Sequence, residues 1–263
     1  MKSNFYTYLL SLVCLASCTF NKQDDFTIKS SSIAIIEDPL PSWNKGTTKA
    51  DIINFITAAS QEGSPSFIPV EDRIATFDND GTLWAEQPAY FQFFFAIDQI
   101  KNMAKDHPEW NSKEPYKSIL ENDFKALMNS GMDGLMKVIM QSHTGLSHEQ
   151  YFNDVQHWVE NARHPKFNRP FTELVYQPML ELLDLLRDHD FKIFIVSGGG
   201  VDFMRVWAPE VYRIPSDQII GSSVKAAFSN TDGKVNIHKL AEINFIDDKE
   251  GKPVGIRPLL RAL

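Results

Sequence analysis

The sequence predicts an α/β fold in which parallel strands carry polar residues at their carboxyl ends. Residues 74–77 and 191–196 are short apolar runs, and each ends in a polar or glycine-rich turn. An amphipathic helical pattern precedes each run, which is typical of a parallel sheet with buried strands. Ligands of such sheets bind beyond the carboxyl ends of the strands, so we expect Asp78, Asp80 and Ser197 to meet there.

The composition is that of an ordinary globular protein. Hydrophobic residues make up 43% of the 263 residues and charged residues 23%, which excludes a disordered chain, a collagen-like chain and a multi-span membrane protein. Asp and Glu number 34 against 26 Lys and Arg, so the net charge is -8 at pH 7. Sequence-independent binding to nucleic acid needs a basic face, so no nucleic-acid partner is expected. No protein partner can be inferred.

The first residues have the pattern of an export signal. Lys2 supplies a positive charge, residues 8–16 are largely apolar, and small residues precede Cys18. The run 15–18 resembles the bacterial lipobox, whose cysteine is acylated and becomes the new N-terminus. We therefore expect a signal peptide over residues 1–17 and lipidation at Cys18. The protein would then be exported by a bacterium and held on a membrane, facing the periplasm or the cell exterior.

The segment after the signal, residues 18–46, is predicted to be a tether because it holds a serine run and two prolines. Cys14 and Cys18 are the only cysteines, so the mature chain should contain no disulfide, thiol nucleophile or cysteine metal site. A buried first helix with an incidental cysteine is the alternative interpretation of the N-terminal segment.

The rest of the chain is divided into an α/β core and an insertion. The core is predicted over residues 47–82 and 171–263. Its first helix is expected to begin at a capping box over residues 48–51. A later core helix is expected to begin near Pro178, because proline suits the first turn of a helix.

The remaining elements complete the predicted fold. Residues 83–170 are expected to form a helical cap, since aromatic and aliphatic residues recur there at helical spacing. Residues 219–228 and 235–237 are expected to pair as a hairpin. Residues 242–246 are a candidate for one more strand, and a polar loop is expected over residues 247–255.

Two carboxylates two positions apart can divide the work of phosphoryl transfer. Asp78 would attack phosphorus and form an aspartyl-phosphate, while Asp80 would protonate the leaving alcohol and then deprotonate the attacking water. Such a site needs Mg²⁺, because a phosphoryl group and two carboxylates repel one another. The Asp78 side chain and the Asp80 backbone carbonyl are the expected ligands.

The other polar residues at the strand ends would bind the phosphate. Thr82 adds a hydroxyl, and Ser197 adds a second one. Gly198 and Gly199 would present backbone N–H groups to the phosphate oxygens as an anion nest. The alternative is that both segments are plain turns, and the acidic segment alone would also fit a fragment of a calcium loop.

Three segments resemble motifs of the haloacid dehalogenase superfamily of hydrolases. FDNDGT, residues 77–82, resembles its first motif, and IVSGGG, residues 195–200, resembles its second. FIDDKEGKPVGI, residues 245–256, is similar to the third-motif segment of a bacterial subgroup. The Ser-Gly-Gly form, with an insertion directly after the first motif, resembles the phosphoserine phosphatase-like branch.

The resemblance implies a Rossmann-like core with an inserted helical cap. It implies a phosphatase or phosphotransferase that uses Mg²⁺ and a small phosphorylated substrate, since true dehalogenases lack the second aspartate of the first motif. It also implies Lys252 as the lysine that holds the phosphate and the charge of the nucleophile.

The fourth motif of that superfamily, an acidic loop after a further strand, has no counterpart behind Lys252, where no acidic residue follows. We therefore expect a C-terminally truncated core. Asp247 or Asp248 is an alternative source of metal ligands, with Lys225 or Lys239 as the lysine. The same pair of aspartates also fits a solvated turn.

The predicted function is that of a Mg²⁺-dependent phosphomonoester hydrolase acting through an aspartyl-phosphate. One alternative is a truncated, catalytically impaired product of the same family. The other is a cell-surface binding protein without catalysis. The identity of the substrate and the oligomeric state are not predicted.

Overall fold

The computed structural model describes residues 38–260 with the exception of Asp232. The predicted signal peptide, the lipidation site at Cys18 and the first part of the predicted tether lie outside the described residues. No helix in the described part is both long enough and apolar enough to cross a membrane.

The described residues form an α/β fold around a four-stranded sheet in the order β1-β2-β3-β4. The strands are β1 (Ile74–Phe77), β2 (Lys192–Gly200), β3 (Ile219–Thr231) and β4 (Lys234–Phe245). β1 and β2 are parallel, β2 and β3 are parallel, and β3 and β4 form an antiparallel hairpin. The predicted fold class is therefore confirmed.

Three strand predictions need correction. The hairpin strands are longer than expected, and residues 242–245 continue β4 instead of forming a separate strand. β1 was expected to be buried, but its residues are exposed or half-buried, because it pairs with β2 on one side only within the described sheet. β2 is buried as expected, since it lies between two strands.

Nine α-helices surround the sheet in the described part of the chain. They are α1 (Thr47–Ser60), α2 (Phe91–Met103), α3 (Tyr116–Leu120), α4 (Phe124–Asn129), α5 (Gly131–Gln141), α6 (His148–Asn161), α7 (Gln177–Asp188), α8 (Val201–Tyr212) and α9 (Gly251–Leu260). Helices α2 to α6 lie between β1 and β2 in the sequence, within the predicted cap. The boundaries predicted for that cap stay a prediction.

Two helix starts differ from the prediction. α1 begins at Thr47 behind Gly46 with no side-chain cap, so the capping box predicted over residues 48–51 is wrong. α9 begins at Gly251, inside the polar loop expected over residues 247–255. Pro253 is compatible with this helix, because the first turn of a helix needs no backbone N–H donor.

Helix α2 joins two hydrophobic clusters through opposite faces. Phe91 and Phe95 pack with Leu183 and Ile195 in the cluster that covers the sheet, which we call the sheet-side core. The other face contributes to a cluster made only of residues between β1 and β2, the helical core: Phe93, Ala96, Ile100, Trp110, Tyr116, Ile119, Leu127 and Val138. The insertion thus has its own core and also shares that of the sheet.

The end of the predicted tether packs on helix α7. Leu40 is fully buried in the sheet-side core. The indole N–H of Trp43 donates to the Pro178 carbonyl at 2.8 Å, and the backbone N–H of Ser42 donates to Glu181 at 2.9 Å. The packed part of the chain therefore begins before residue 47.

Candidate active site

Asp78 and Asp80 lie in a tight turn that directly follows β1, and we call residues 78–83 the acidic turn. The carbonyl of Asn79 closes this turn by accepting the backbone N–H groups of Thr82 at 3.1 Å and Leu83 at 2.8 Å. The buried Asn79 side chain accepts a hydrogen bond from the Tyr212 hydroxyl at 3.0 Å. This turn therefore has a fixed position relative to helix α8.

Gly81 is required in this turn for two reasons. Its φ is +71°, a conformation that L side chains rarely adopt. A Cβ atom at this position would also lie 2.8 Å from the carboxyl carbon of Glu86. The glycine therefore lets the Glu86 carboxylate lie directly against the turn that carries Asp80.

Lys252 brings a cation to Asp78 from a distant part of the chain. Its ammonium lies 2.8 Å from Asp78 Oδ2 and donates to the Val196 carbonyl at 3.0 Å. The other carboxylate oxygen, Asp78 Oδ1, accepts the backbone N–H of Asn79 at 2.8 Å. The Asp78 side chain keeps 43% of its surface exposed, so a ligand can reach it.

The Asp80 carboxylate is held by an aromatic neighbour. Its Oδ1 accepts the indole N–H of Trp84 at 2.8 Å, and Trp84 stacks on Trp207 with ring centroids 4.0 Å apart. Burial raises the pKa of the Asp80 carboxyl to about 6. The Trp84 hydrogen bond opposes this shift, while the neighbouring carboxylates of Asp78 and Glu86 add to it.

Ser197 begins a bulge at the end of β2, residues 197–200, which we call the glycine bulge. Ser197 is paired with Gly221 and Gly200 with Ser222, so Gly198 and Gly199 are extra residues without partners in β3. The backbone N–H of Gly199 donates to Ser197 Oγ at 3.2 Å. Bulges of this kind occur beside active sites, where they change the direction of polar groups.

The glycine bulge and the acidic turn meet at Gly199. A Cβ atom placed on Gly199 would lie 3.5 Å from Ser197 Oγ and 3.6 Å from Asp80 Oδ2. A Cβ atom on Gly198 would lie 3.6 Å from the Cβ of Asp248. The predicted residues Asp78, Asp80, Ser197 and Lys252 are thus brought to one edge of the sheet, and Thr82 follows in the acidic turn.

Asp247 and Asp248 lie beside the glycine bulge, and only one of them is solvated. Asp248 is exposed, whereas Asp247 is fully buried, so the expectation of a solvated turn is wrong for Asp247. Neither carboxylate oxygen of Asp247 reaches hydrogen-bond geometry with a donor in residues 38–260. Burial raises the pKa of this carboxyl to about 6, and the charge of Lys252 opposes the shift.

The two alternative lysines are engaged elsewhere. Lys225 pairs with Glu242 at 2.7 Å on the exposed hairpin. Lys239 is buried and pairs with Asp202. Lys252 is the lysine that the structure places against Asp78.

Residues 75–249 match the family model described as haloacid dehalogenase-like hydrolase. The chain belongs to this family. The superfamily expected from residues 77–82 and 195–200 is therefore confirmed, and with it the Rossmann-like core.

Several solved structures are similar to this haloacid dehalogenase-like hydrolase at low identity. A phosphoserine phosphohydrolase-like protein from Francisella tularensis is 17% identical, with 73% of this chain and 74% of that chain covered and a TM-score of 0.38. A Bordetella pertussis protein with unknown function is 12% identical, with 72% and 74% covered and a TM-score of 0.49. No protein of curated function matches the sequence.

The sheet edge of this hydrolase that carries Asp78 and Asp80 fits a Mg²⁺ ion that takes some of its ligands from the protein and the others from water and substrate. Within the described residues, no three His, Cys, Asp or Glu side chains are grouped so that they could hold a metal ion. Mg²⁺ needs fewer protein ligands, because it usually keeps several waters and takes one or two carboxylates plus phosphate oxygens. The accessible Asp78 carboxylate fits this role, and the buried Asp247 carboxyl lies at the same edge.

Four residues of this edge were not predicted: Trp84, Gln92, Tyr212 and Gly221. Trp84 holds Asp80, Tyr212 holds the acidic turn, and the other two contact the glycine bulge. The spacing of Trp84 four residues after Asp80 is the only one of these relations that is local in sequence. The other three contacts join segments more than a dozen residues apart, so no local sequence pattern predicts them.

Proposed function

We propose that this chain is a Mg²⁺-dependent phosphomonoester hydrolase that acts through an aspartyl-phosphate at Asp78. The observation that carries the proposal is the pairing of Lys252 with Asp78 at 2.8 Å at the edge where Asp80 and Ser197 face Gly199. A paired nucleophile, a second carboxylate and a glycine-lined anion site at one strand end suit phosphoryl transfer better than binding alone.

The phosphate would bind between the acidic turn and the glycine bulge. Ser197 would contribute its hydroxyl, Gly198 and Gly199 their backbone N–H groups, and Thr82 a second hydroxyl. Helix α8 begins directly after Gly200, so its N-terminus adds a partial positive charge on the same side. These groups would hold the phosphate oxygens and leave phosphorus facing Asp78.

In the first step, an Asp78 carboxylate oxygen would attack phosphorus while the bond from phosphorus to the leaving oxygen breaks. Asp80 would give its proton to that oxygen, which leaves as an alcohol. In the second step, Asp80 would take a proton from water, which attacks phosphorus and releases phosphate and the free Asp78 carboxylate. A pKa of about 6 suits Asp80 for both duties, since both of its protonation states are then accessible near neutral pH.

Two cationic groups would balance the charge at this edge. The Lys252 ammonium would stabilise the Asp78 carboxylate in the free protein and the phosphoryl oxygens during transfer. The Asp78 side chain and the Asp80 carbonyl would hold Mg²⁺, with Asp247 or Asp248 as a further candidate ligand. When bound, the ion would neutralise the phosphate and reduce its repulsion of the carboxylates.

The test is hydrolysis of an aryl phosphate by the purified full-length chain across a range of Mg²⁺ concentrations. We expect turnover that saturates with Mg²⁺, is abolished in Asp78→Asn and is retained in Asp217→Asn. Asp217 is an exposed matched control in the short 3-10 turn that precedes β3.

A second measurement separates loss of catalysis from loss of binding. Beryllium fluoride with Mg²⁺ should raise the melting temperature of the wild type but not that of Asp78→Asn. Equal protection of both would exclude Asp78 as the nucleophile. Protection of a wild type that does not turn over would favour a catalytically impaired member of the family.

A further inference from the structure

Gln92 lies outside the three motif segments, yet its side chain contacts the glycine bulge. The residue is in the first turn of α2, and its Oε1 accepts the backbone N–H of Gly200 at 2.7 Å. The amide also lies close against the bulge, because a Cβ atom on Gly200 would lie 2.6 Å from Gln92 Nε2. A side chain at position 200 would therefore displace the Gln92 amide from its present position.

The contact with Gln92 reaches the centre of the candidate site. A Cβ atom placed on Gly199 would lie 3.7 Å from Gln92 Oε1, close to its distances of 3.5 Å and 3.6 Å from the oxygens of Ser197 and Asp80. Three oxygen atoms from three segments of the chain thus surround Gly199. Gln92 is the only one of the three contributed by the helices between β1 and β2.

The glycine bulge is held at both ends by side chains. At its start, the Ser222 hydroxyl donates to the Gly198 carbonyl at 2.8 Å. At its end, Gln92 accepts the N–H of Gly200 at 2.7 Å. Between these two points the backbone of Gly198 and Gly199 has no ladder partner in β3. The N–H of Gly199 donates to Ser197 Oγ at 3.2 Å, so the direction of these N–H groups depends on Ser197 as well as on the two side chains that hold the ends.

The neighbours of Gln92 restrict the orientation of its side-chain amide. The hydroxyl of the buried Tyr151 lies near the Gln92 side chain and gives the amide a second polar neighbour. Tyr151 is in turn held by Lys239, whose ammonium lies 4.8 Å from the ring centroid and pairs with Asp202 in the first turn of α8. A half-buried amide that is bonded to Gly200 and lies near a buried hydroxyl has fewer orientations open to it than an exposed amide.

We propose that Gln92 is a positioning residue that holds the glycine bulge in its phosphate-binding form, with Tyr151 orienting the Gln92 amide. The proposal rests on the proposed function. It makes the geometry of the phosphate site dependent on helices α2 and α6, which do not belong to the sheet. Gln92 would not touch phosphorus, and its effect would pass through the N–H groups of Gly198 and Gly199.

The first measurement needs no turnover. We expect the Gly200 amide proton, followed by NMR, to exchange with solvent about tenfold faster in Gln92→Leu than in the wild type, because one partly buried hydrogen bond is lost. Tyr151→Phe keeps the ring beneath Lys239 and should accelerate exchange in the same direction by a smaller factor. Gln156→Leu, on the exposed face of α6, is the matched control and should leave the exchange rate unchanged.

The second measurement distinguishes positioning from packing. With an aryl phosphate, Gln92→Leu should lower kcat by about tenfold or more while KM changes less, because oriented donors act mainly in the transition state. Equal kcat values for Gln92→Leu and the control, or unchanged Gly200 exchange in both Gln92→Leu and Tyr151→Phe, would overturn the proposal. If Gln92→Leu does not fold, the kcat and the Gly200 exchange rate of Tyr151→Phe, each compared with the control, test the proposal instead.

The two proposals fail in different ways. Absence of Mg²⁺-dependent turnover in the wild type would contradict the proposed function, and the exchange data would still show whether Gln92 holds the bulge. Normal wild-type turnover with an unaffected Gln92→Leu variant would contradict the positioning role alone.

Discussion

At the scale of single residues, the candidate site is built from charges that are kept close together. Asp78, Asp80 and Asp247 lie at the same edge as Lys252, and burial raises the pKa of both Asp80 and Asp247 to about 6. Lys252 is the cation that the described residues place directly on this cluster. Its removal should therefore affect the chemistry more than the stability of the fold.

We predict that Lys252→Met lowers kcat/KM for an aryl phosphate on the order of a hundredfold, because a positioned charge that stabilises the phosphoryl oxygens is lost. The melting temperature should change little, since the Asp78 partner is 43% exposed and pairs of this kind contribute little to stability. Steady-state kinetics and thermal melts of the same preparations check this. Lys249→Met, an exposed lysine three residues away, should behave as wild type. A Lys252→Met variant with full activity would contradict the role given to the ammonium.

The buried His143 side chain should make the free energy of unfolding depend on pH. The side chain is 5% exposed, its Nε2 has no hydrogen-bond partner in the described part of the chain, and burial lowers its pKa to about 4. The unfolded state, with a pKa of about 6.5, binds a proton between pH 6.5 and 4 that the folded state does not. Stability should therefore fall as pH falls through this window and be unaffected by His143 above it.

The expected size of this effect is about 2 kcal/mol of unfolding free energy between pH 7 and pH 5. Urea unfolding at the two pH values should show a larger loss for the wild type than for His143→Leu, which cannot bind the proton. An equal loss in both proteins would show that His143 does not titrate as inferred.

At the scale of elements, the glycine bulge depends on close backbone packing between β2, β3 and α8. A Cβ atom on Gly221 of β3 would lie 2.6 Å from the Gly199 carbonyl oxygen and 3.0 Å from the Val201 backbone nitrogen. Both of these atoms belong to backbone, so they cannot move aside as a flexible side chain would. The absence of a side chain at Gly221 in β3 thus leaves room for the glycine bulge of β2.

We predict that Gly221→Ala lowers the free energy of unfolding by about 1–3 kcal/mol, because the added methyl group overpacks the bulge. Activity should fall as well, since the shifted backbone belongs to the proposed phosphate site. Gly46→Ala is the control: a Cβ atom there meets no atom within 4 Å, and it should cost less than about 1 kcal/mol. Chemical denaturation of the two variants checks the difference. Similar stabilities for the two variants would show that the bulge can relax.

At the scale of the whole molecule, the sheet and the inserted helices are joined through side chains as well as through the chain. Phe91 and Phe95 of α2 pack in the sheet-side core, while Phe93 and Ile100 on its other face pack in the helical core. Gln92, which accepts the hydrogen bond from Gly200, belongs to the same helix. A change in the position of α2 would therefore alter the glycine bulge, which is part of the proposed phosphate site.

The N-terminal segment leads to a prediction about where the molecule resides. We propose that the protein is exported and acylated at Cys18, on the pattern of residues 15–18. A clickable fatty-acid analogue fed to a bacterial host should label the wild type and Cys14→Ser but not Cys18→Ser. Labelling that persists in Cys18→Ser, or that is absent from the wild type, would contradict the proposal.

The sequence by itself determined the fold class and the residues of the strand ends. β1 was predicted with its observed bounds, residues 74–77, because an apolar run between charges is a local signal. The sequence predicts Asp78, Asp80 and Ser197 as site residues, and their placement at one edge follows from parallel strands that end at the same side of the sheet. Lys252, which the family resemblance implies, reaches this edge from α9. The roles of these residues in catalysis stay a prediction.

Only the tertiary structure decided what surrounds these residues. Asp247 has the sequence context of a polar turn but is fully buried, because α9 and the neighbouring parts of β2 and β3 lie against it. Gln92, Tyr212 and Gly221 contact the site from segments that are distant in sequence. Hydrophobic periodicity reports which face of an element is buried, whereas the polar partner of a buried group depends on how several elements pack together. These contacts therefore leave no pattern in a single sequence.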